Sequence, residues 1–285
     1  MSYQEIIIIG APRSGTNMLR DILTSLEGVA TWPCDEINYI WRHGNVCHPS
    51  DEIDEHNSNL YIRKYIQKRF SQIHKKYNAK YVVEKTCANS LRVPFVDSAV
   101  PNAKYIFIYR DGIDAAVSAK ERWTAEMDIP YILQKVKFVP TMDLPYYGLR
   151  YLWVRTYRLF SSEKRLAFWG PALDEMQSLL QKYSLNEVCA LQWQRCVDKS
   201  EQAFATMPAD KVVHVCYENF VREPAEELSR IVKFIGLNIQ PGLLTQAVEG
   251  VSSRSVGKGR KALGKDEVVN LEELVGDTLR RYDYL

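Results

Sequence analysis

The 285-residue chain carries 37 basic and 35 acidic residues, a formal net charge of +2, and is 46% apolar. That balance leaves no global field to draw it to nucleic acid or a membrane surface, so any anion site must be local. It is also long and apolar enough for a single domain over 1–285. Six cysteines (34, 47, 87, 189, 196 and 216) form no C-x-x-C pair and no cysteine–histidine cluster, which predicts reduced structural thiols and no metal.

Residues 6–9 are four isoleucines ending at Gly10, a run suited to a strand buried on both faces of a parallel sheet. A helix is expected over 15–26, with Met18, Leu19, Ile22, Leu23 and Leu26 on one face. Further short strands are read at 81–83, 105–109 and 212–215. Helices follow the last two, at 113–122 and at 224–235, the latter opening on Pro224 and closing at Gly236. Residues 123–182 are crowded with aromatics and prolines and read as an insertion over the open end of the sheet, covering the cleft there. Residues 186–204 read as a long helix capped by Asn186, with Val188, Leu191, Cys196 and Phe204 towards a core. Strands alternating with helices predict an α/β fold with a central, mainly parallel sheet. No apolar run approaches the ~18 residues of a transmembrane segment, and no secretion signal is apparent, so a cytoplasmic location is expected.

The first strand runs into Gly10-Ala11-Pro12-Arg13-Ser14-Gly15-Thr16-Asn17. A tight turn feeding a helix N-terminus cradles anionic oxygens with backbone N–H groups. The glycine spacing matches a nucleotide P-loop, but Thr16-Asn17 stands where Lys-Ser/Thr is required. The loop's cation is instead Arg13, whose planar fork holds two oxygens at once. A second constellation follows the strand at 105–109, where Arg110 lies at a strand's carboxyl end and Ser118 about two turns into the next helix. Arginine plus serine suits an isolated phosphate; a pairing of Arg110 with Asp111 or Asp114 is the plainer alternative.

Together these residues resemble the sulfotransferases that use 3′-phosphoadenosine 5′-phosphosulfate (PAPS). Pro12-Arg13-Ser14-Gly15-Thr16 is similar to that family's 5′-phosphosulfate loop, and Arg110 with Ser118 to its 3′-phosphate site. Glu84-Lys85-Thr86, Pro101-Asn102-Ala103-Lys104-Tyr105 and Val215-Cys216-Tyr217-Glu218-Asn219-Phe220 with Arg222-Glu223-Pro224 agree in order. Arginine in the loop resembles bacterial, tyrosyl-protein or carbohydrate-type members rather than those with lysine.

The resemblance implies a P-loop-like three-layer fold, with residues 123–182 covering the acceptor cleft, and PAPS as donor, held by Arg13, Ser14, Gly15, Thr16 and Asn17 at one end and by Arg110 and Ser118 at the other. Tyr217 matches a position near the adenine, with a core tyrosine as its alternative. Lys258 and Arg260, in a segment similar to one that closes over the 3′-phosphate, are cofactor candidates. Gly259 departs from relatives that carry an aromatic there. Arginine-loop members often place a glutamate base shortly after the first helix, where Glu36 stands here. Asp35 is the reserve, and His43 and His48 are the next titratable candidates. Lys85, at a strand end, is expected to reach the transferring group, or else to pair with Glu84. The acceptor implied is a hydroxyl of a glycan, ahead of a lipid, small molecule or protein tyrosine. A P-loop phosphotransferase and a non-catalytic adenosine-bisphosphate-binding module remain the alternatives.

Overall fold

The computed structural model describes residues 3–124, 137–149, 152, 156 and 169–285. Its sheet has five strands: β1 Gln4–Ile9, β2 Val29–Ala30, β3 Tyr81–Lys85, β4 Lys104–Tyr109 and β5 Val212–Cys216. They lie in the order β2-β3-β1-β4-β5 with every pairing parallel. Successive side chains on a strand point to opposite faces, and here both faces are covered. Ile6 and Ile8 enter one core while Ile7 and Ile9 enter the other, which is why the central strand is isoleucine throughout.

The Ile6 face is packed by α1 Thr16–Thr24, α8 Tyr217–Arg222, α9 Pro224–Ile235 and α10 Pro241–Ala247. The opposite face is packed by α3 Leu60–Tyr77, α4 Val93–Ala99, α5 Gly112–Thr124, α7 Leu185–Phe204 and α12 Lys265–Arg281. Three short helices complete the order: α2 Asn38–Trp41, α6 Met176–Lys182 and α11 Lys258–Ala262. The result is the expected three-layer α/β fold.

The chain leaves β1 towards β2 on one side and leaves β4 towards β5 on the other. The carboxyl ends of β1 and β4 therefore flank a topological switch point, where open α/β sheets bind ligands. Both candidate phosphate turns lie there.

One local expectation changes. The long helix starts at Leu185, and its cap is Ser184, not Asn186: the Ser184 hydroxyl and the Glu187 carboxylate form a reciprocal capping box. The Asn186 amide is drawn away to Glu267 at 2.9 Å. Tyr217 opens α8, just past the end of β5 at Cys216. In the aromatic segment, Tyr131, Tyr151, Trp153, Tyr157, Phe160 and Phe168 lie outside the described residues, whereas Phe138, Tyr146, Tyr147 and Trp169 lie within them.

Candidate active site

The turn after β1 frees backbone amides. Arg13 has φ +69° and Gly15 φ +88°; for a non-glycine residue the left-handed conformation costs roughly 1–2 kcal/mol. Ser14 N donates to Ala11 O at 3.2 Å, closing the turn. The first helix then opens at Thr16 with no side chain capping it, so its initial N–H groups face the strand ends. A Cβ at Gly15 would meet Tyr217 Cδ2 at 2.5 Å, so glycine is required both by the φ angle and by the ring beside it.

Arg110, leaving β4, lies over that same Tyr217 ring at 4.6 Å from its centroid. Its Nη1 donates to Arg13 O at 3.0 Å and its Nη2 to Ser255 O at 2.6 Å. The plainer expectation of an ion pair is also present, to Asp114 Oδ2 at 3.4 Å. The Tyr217 hydroxyl meets Ser255 Oγ at 2.6 Å, so Tyr217 joins the loop, Arg110 and the 255–260 segment. Arg13 Nε donates to Ser118 Oγ at 2.9 Å, bonding the cation of one expected phosphate station to the hydroxyl of the other. Burial first, and then the charges of Arg122 and Arg110, pull the Arg13 guanidinium below its ordinary pKa; a bound anion would reverse that.

Asp114 holds the 255–260 segment down. Its two oxygens accept Gly257 N at 2.6 Å and Gly259 N at 2.7 Å. A Cβ at Gly259 would lie 2.7 Å from Asp114 Cα, which explains in physical terms why no aromatic stands there. Arg260 turns away from the cavity: it pairs with Asp111 at 2.8 Å and with Glu272, and donates to Tyr284 O at 3.2 Å. It braces the segment, whereas Lys258 lines the cavity.

The other side is built on β3. Lys85 Nζ meets Glu36 Oε1 at 3.0 Å and Asp35 Oδ1 at 3.7 Å. Lys85 therefore pairs with the candidate base, while Glu84, the next residue on the strand, points to the opposite face. Cys87 N also donates to Glu36 Oε1, at 3.2 Å. Burial lowers the Lys85 ammonium's pKa, but the charges of Glu36 and Asp35 outweigh it and the net shift is upward, so the side chain is cationic at neutral pH. Cys87 lies against Thr16 Oγ1 at 3.6 Å; burial and then Glu36 push its thiol up to about 12, so it stays protonated. Asp35 is also held by Arg20 at 2.7 Å.

Behind this loop, buried Asp51 pairs with Arg42 at 2.9 Å and Arg92 at 3.2 Å and accepts from Asn38 at 3.2 Å and from Ala172 N at 2.9 Å. His43 is occupied by Asp143 at 2.8 Å and Tyr61 at 3.0 Å, and His48 by Ser50 O at 3.0 Å; neither lines the cavity.

One cavity of ≈ 760 Å³ unites these parts. Arg13, Gly15, Thr16 and Asn17 line it from the loop; Arg110, Ser118, Tyr217 and Lys258 line one end, and Glu36, Asp35 and Lys85 the other. Ser14 is wholly buried. Among the described residues, Ser14 Oγ and Arg110 Nε are buried donors without a hydrogen-bond partner. Such atoms are costly unless something accepts from them, and a bound polyanion would. Met18, Cys87, Asp114, Arg122 and Trp169 also line the cavity but were not read as site residues. Among the described residues no His, Cys, Asp or Glu cluster suited to a metal is gathered, and no helix is long and apolar enough to cross a membrane.

A family model described as "Sulfotransferase family" matches residues 5–163 and 154–241. The fold is similar to sulfotransferase STF9 from Mycobacterium avium (12% identity, 99% of this chain and 78% of that one, TM-score 0.55). It is also similar to mouse sulfotransferase SULT7A1 complexed with PAP (14%, 99% and 86%, TM-score 0.53). A third likeness is to the sulfotransferase domain of the Synechococcus PCC 7002 olefin synthase (15%, 95% and 94%, TM-score 0.50). No curated protein matches. The strand–loop–helix that presents Arg13, the five parallel strands and the matched residues agree, and the chain belongs to the sulfotransferase family.

Proposed function

We propose that this sulfotransferase takes PAPS as donor and transfers its sulfuryl group to a hydroxyl of a glycan, with Glu36 as base. The observation that carries the reading is that two groups of residues suited to anions open on the same cavity as the Glu36–Lys85 pair. These are the 13–17 loop and the Arg110–Ser118–Lys258 group. PAPS supplies an activated sulfuryl on its 5′-phosphate and carries a second phosphate at its 3′ position.

Residues 14–17 and the first amides of α1 bind the 5′-phosphate. Arg110, Ser118 and Lys258 hold the 3′-phosphate, and Tyr217 keeps Arg110 and the loop in register. Arg13 stabilises the charge that gathers on the 5′-phosphate as the sulfur–oxygen bond to it breaks. Glu36 takes the acceptor's proton as the new oxygen–sulfur bond forms. Lys85 orients the Glu36 carboxylate and faces the sulfuryl oxygens. Trp169 and Gly170 stand in the cavity wall and serve the acceptor side; residues 125–136 and 157–168 of the 123–182 segment lie outside the described residues. The six free cysteines support a reducing, cytoplasmic setting.

The test measures labelled sulfuryl transfer and binding of adenosine 3′,5′-bisphosphate (PAP) side by side. Glu36→Gln and Arg13→Ala proteins should keep PAP affinity within roughly tenfold and lose transfer by about 10²-fold or more. Wild-type transfer rates in both variants would remove these roles.

A further inference from the structure

Helix α5 runs along the cavity instead of turning away from it: Asp114, Val117, Ser118, Glu121 and Arg122 all line the wall. At about 1.5 Å per residue, Ser118 lies about 6 Å beyond Asp114, and Arg122 about 6 Å beyond Ser118. Exposure rises along the same line, from buried Asp114 through half-buried Ser118 to exposed Arg122. Arg110 and the 255–260 segment occupy the Asp114 end, and Arg13 is bonded at Ser118. Arg122 therefore marks the exposed end of this wall, away from the Asp114 end that the 255–260 segment occupies. Its charge acts on Arg13 more strongly than that of Arg110 does.

The neighbouring carboxylates do not neutralise it. Asp35 and Glu36 hold Lys85, Asp35 also holds Arg20, and Asp114 holds Arg110. Among the described residues, no carboxylate lies within ion-pair distance of Arg122. Trp169 and Gly170 line the same cavity. This turn is fixed by a buried side chain: Gln192 Nε2 donates to Trp169 O at 3.2 Å and to Pro171 O at 2.7 Å, and Gln192 is 1% exposed.

Resting on the sulfotransferase reading of the same cavity, we propose that Arg122 and Trp169 form the acceptor subsite. It takes an acidic sugar, whose ring packs on Trp169 and whose carboxylate or sulfate is held by Arg122. A guanidinium fork suits either anion, and an aromatic face suits the C–H side of a pyranose.

The probes are a chondroitin tetrasaccharide and its carboxyl-reduced counterpart, with transfer of labelled sulfuryl from PAPS as readout. Binding of PAP is measured on the same proteins. Wild type should show a KM at least tenfold lower for the carboxylated form. Arg122→Gln should erase that difference while PAP affinity stays within about twofold, and Trp169→Ala should raise KM for both forms. Equal KM values in wild type, or a preference that survives Arg122→Gln, overturn the subsite. A rate lost equally on both forms in Arg122→Gln overturns it too, placing Arg122 on the sulfuryl group. Turnover of neither form by protein that binds PAP tightly overturns the acidic sugar while leaving the donor reading intact. Failure to bind PAP overturns both.

Discussion

At the Arg110 end of the cavity the side chains are sequestered, Asp114 at 1% and Arg110 at 7% exposure, whereas at the Glu36 end the carboxylates of Glu36 and Asp35 stand 29% and 35% exposed. The first end is tied together by backbone amides, a glycine packed on a helix turn and a guanidinium over a ring. The second is a charged loop laid over a buried lysine. A preformed station loses little freedom on binding, so more of its interaction appears as affinity. The exposed end keeps side chains that can meet acceptors of different shape. On the proposed function, donor recognition is a property of the frame, and acceptor choice a property of what is laid over it.

The largest effects should fall on chemistry at the exposed end. Glu36→Gln is expected to lower kcat by about 10²–10⁴-fold with the PAPS KM little changed, measured by initial rates at saturating donor. A matching rise in the PAPS KM would mean that the two ends are not separable. Next comes the support beneath that end. Asp51→Ala leaves Arg42 and Arg92 buried without their carboxylate, for a loss of about 3–5 kcal/mol in urea unfolding; a loss under about 1 kcal/mol would show that the loop does not depend on it.

Smaller still, and at the sequestered end, Asp114→Asn should weaken PAP binding about tenfold, since one carboxylate accepts two amides of the 255–260 segment and faces Arg110. Its kcat at saturating PAPS should hold. Unchanged PAP affinity would show that the segment is held without it.

The smallest effect is a pH dependence. Burial, only partly offset by bonds from Thr86 and others, raises Glu84 from 4.5 to about 7. The folded state therefore binds this proton more tightly than the unfolded chain. The stabilisation is complete below about pH 4.5 and is lost as pH rises through about 7, worth roughly 1–3 kcal/mol. Thr86 Oγ1 donates to Glu84 at 2.5 Å and accepts from Ile37 N at 3.2 Å, beside the Glu36 loop. Glu84→Gln should flatten the fall in melting temperature between pH 5 and 8. Parallel slopes for the two proteins would contradict it.

The donor frame was readable because its signals are local. Four isoleucines, Gly10, Arg13 and Gly15 lie in one stretch, and Arg110 and Ser118 in another, so strand, turn and helix chemistry sufficed. Other local signals were present but passed over: Ser184 with Glu187 spells a capping box, and Ile62, Ile66, Phe70 and Ile73 mark the buried stripe of α3. The remaining links were beyond local reading. Glu36 and Lys85 are 49 residues apart, and Asp114 and Gly257 are 143 apart; folding alone brings them together. Arg260 illustrates the cost: resemblance of its segment made it a cofactor candidate, while it pairs with Asp111 and Glu272 and donates to Tyr284 O.

The central claim is that this cavity has two phosphate stations made for PAPS. Calorimetric titration with adenosine 3′,5′-bisphosphate, with AMP and with ATP tests it most directly. The account predicts that the bisphosphate binds at least a hundredfold more tightly than either, and that Arg110→Ala brings it down to the level of AMP. ATP binding as tightly as the bisphosphate, or a bisphosphate affinity indifferent to Arg110, would contradict it.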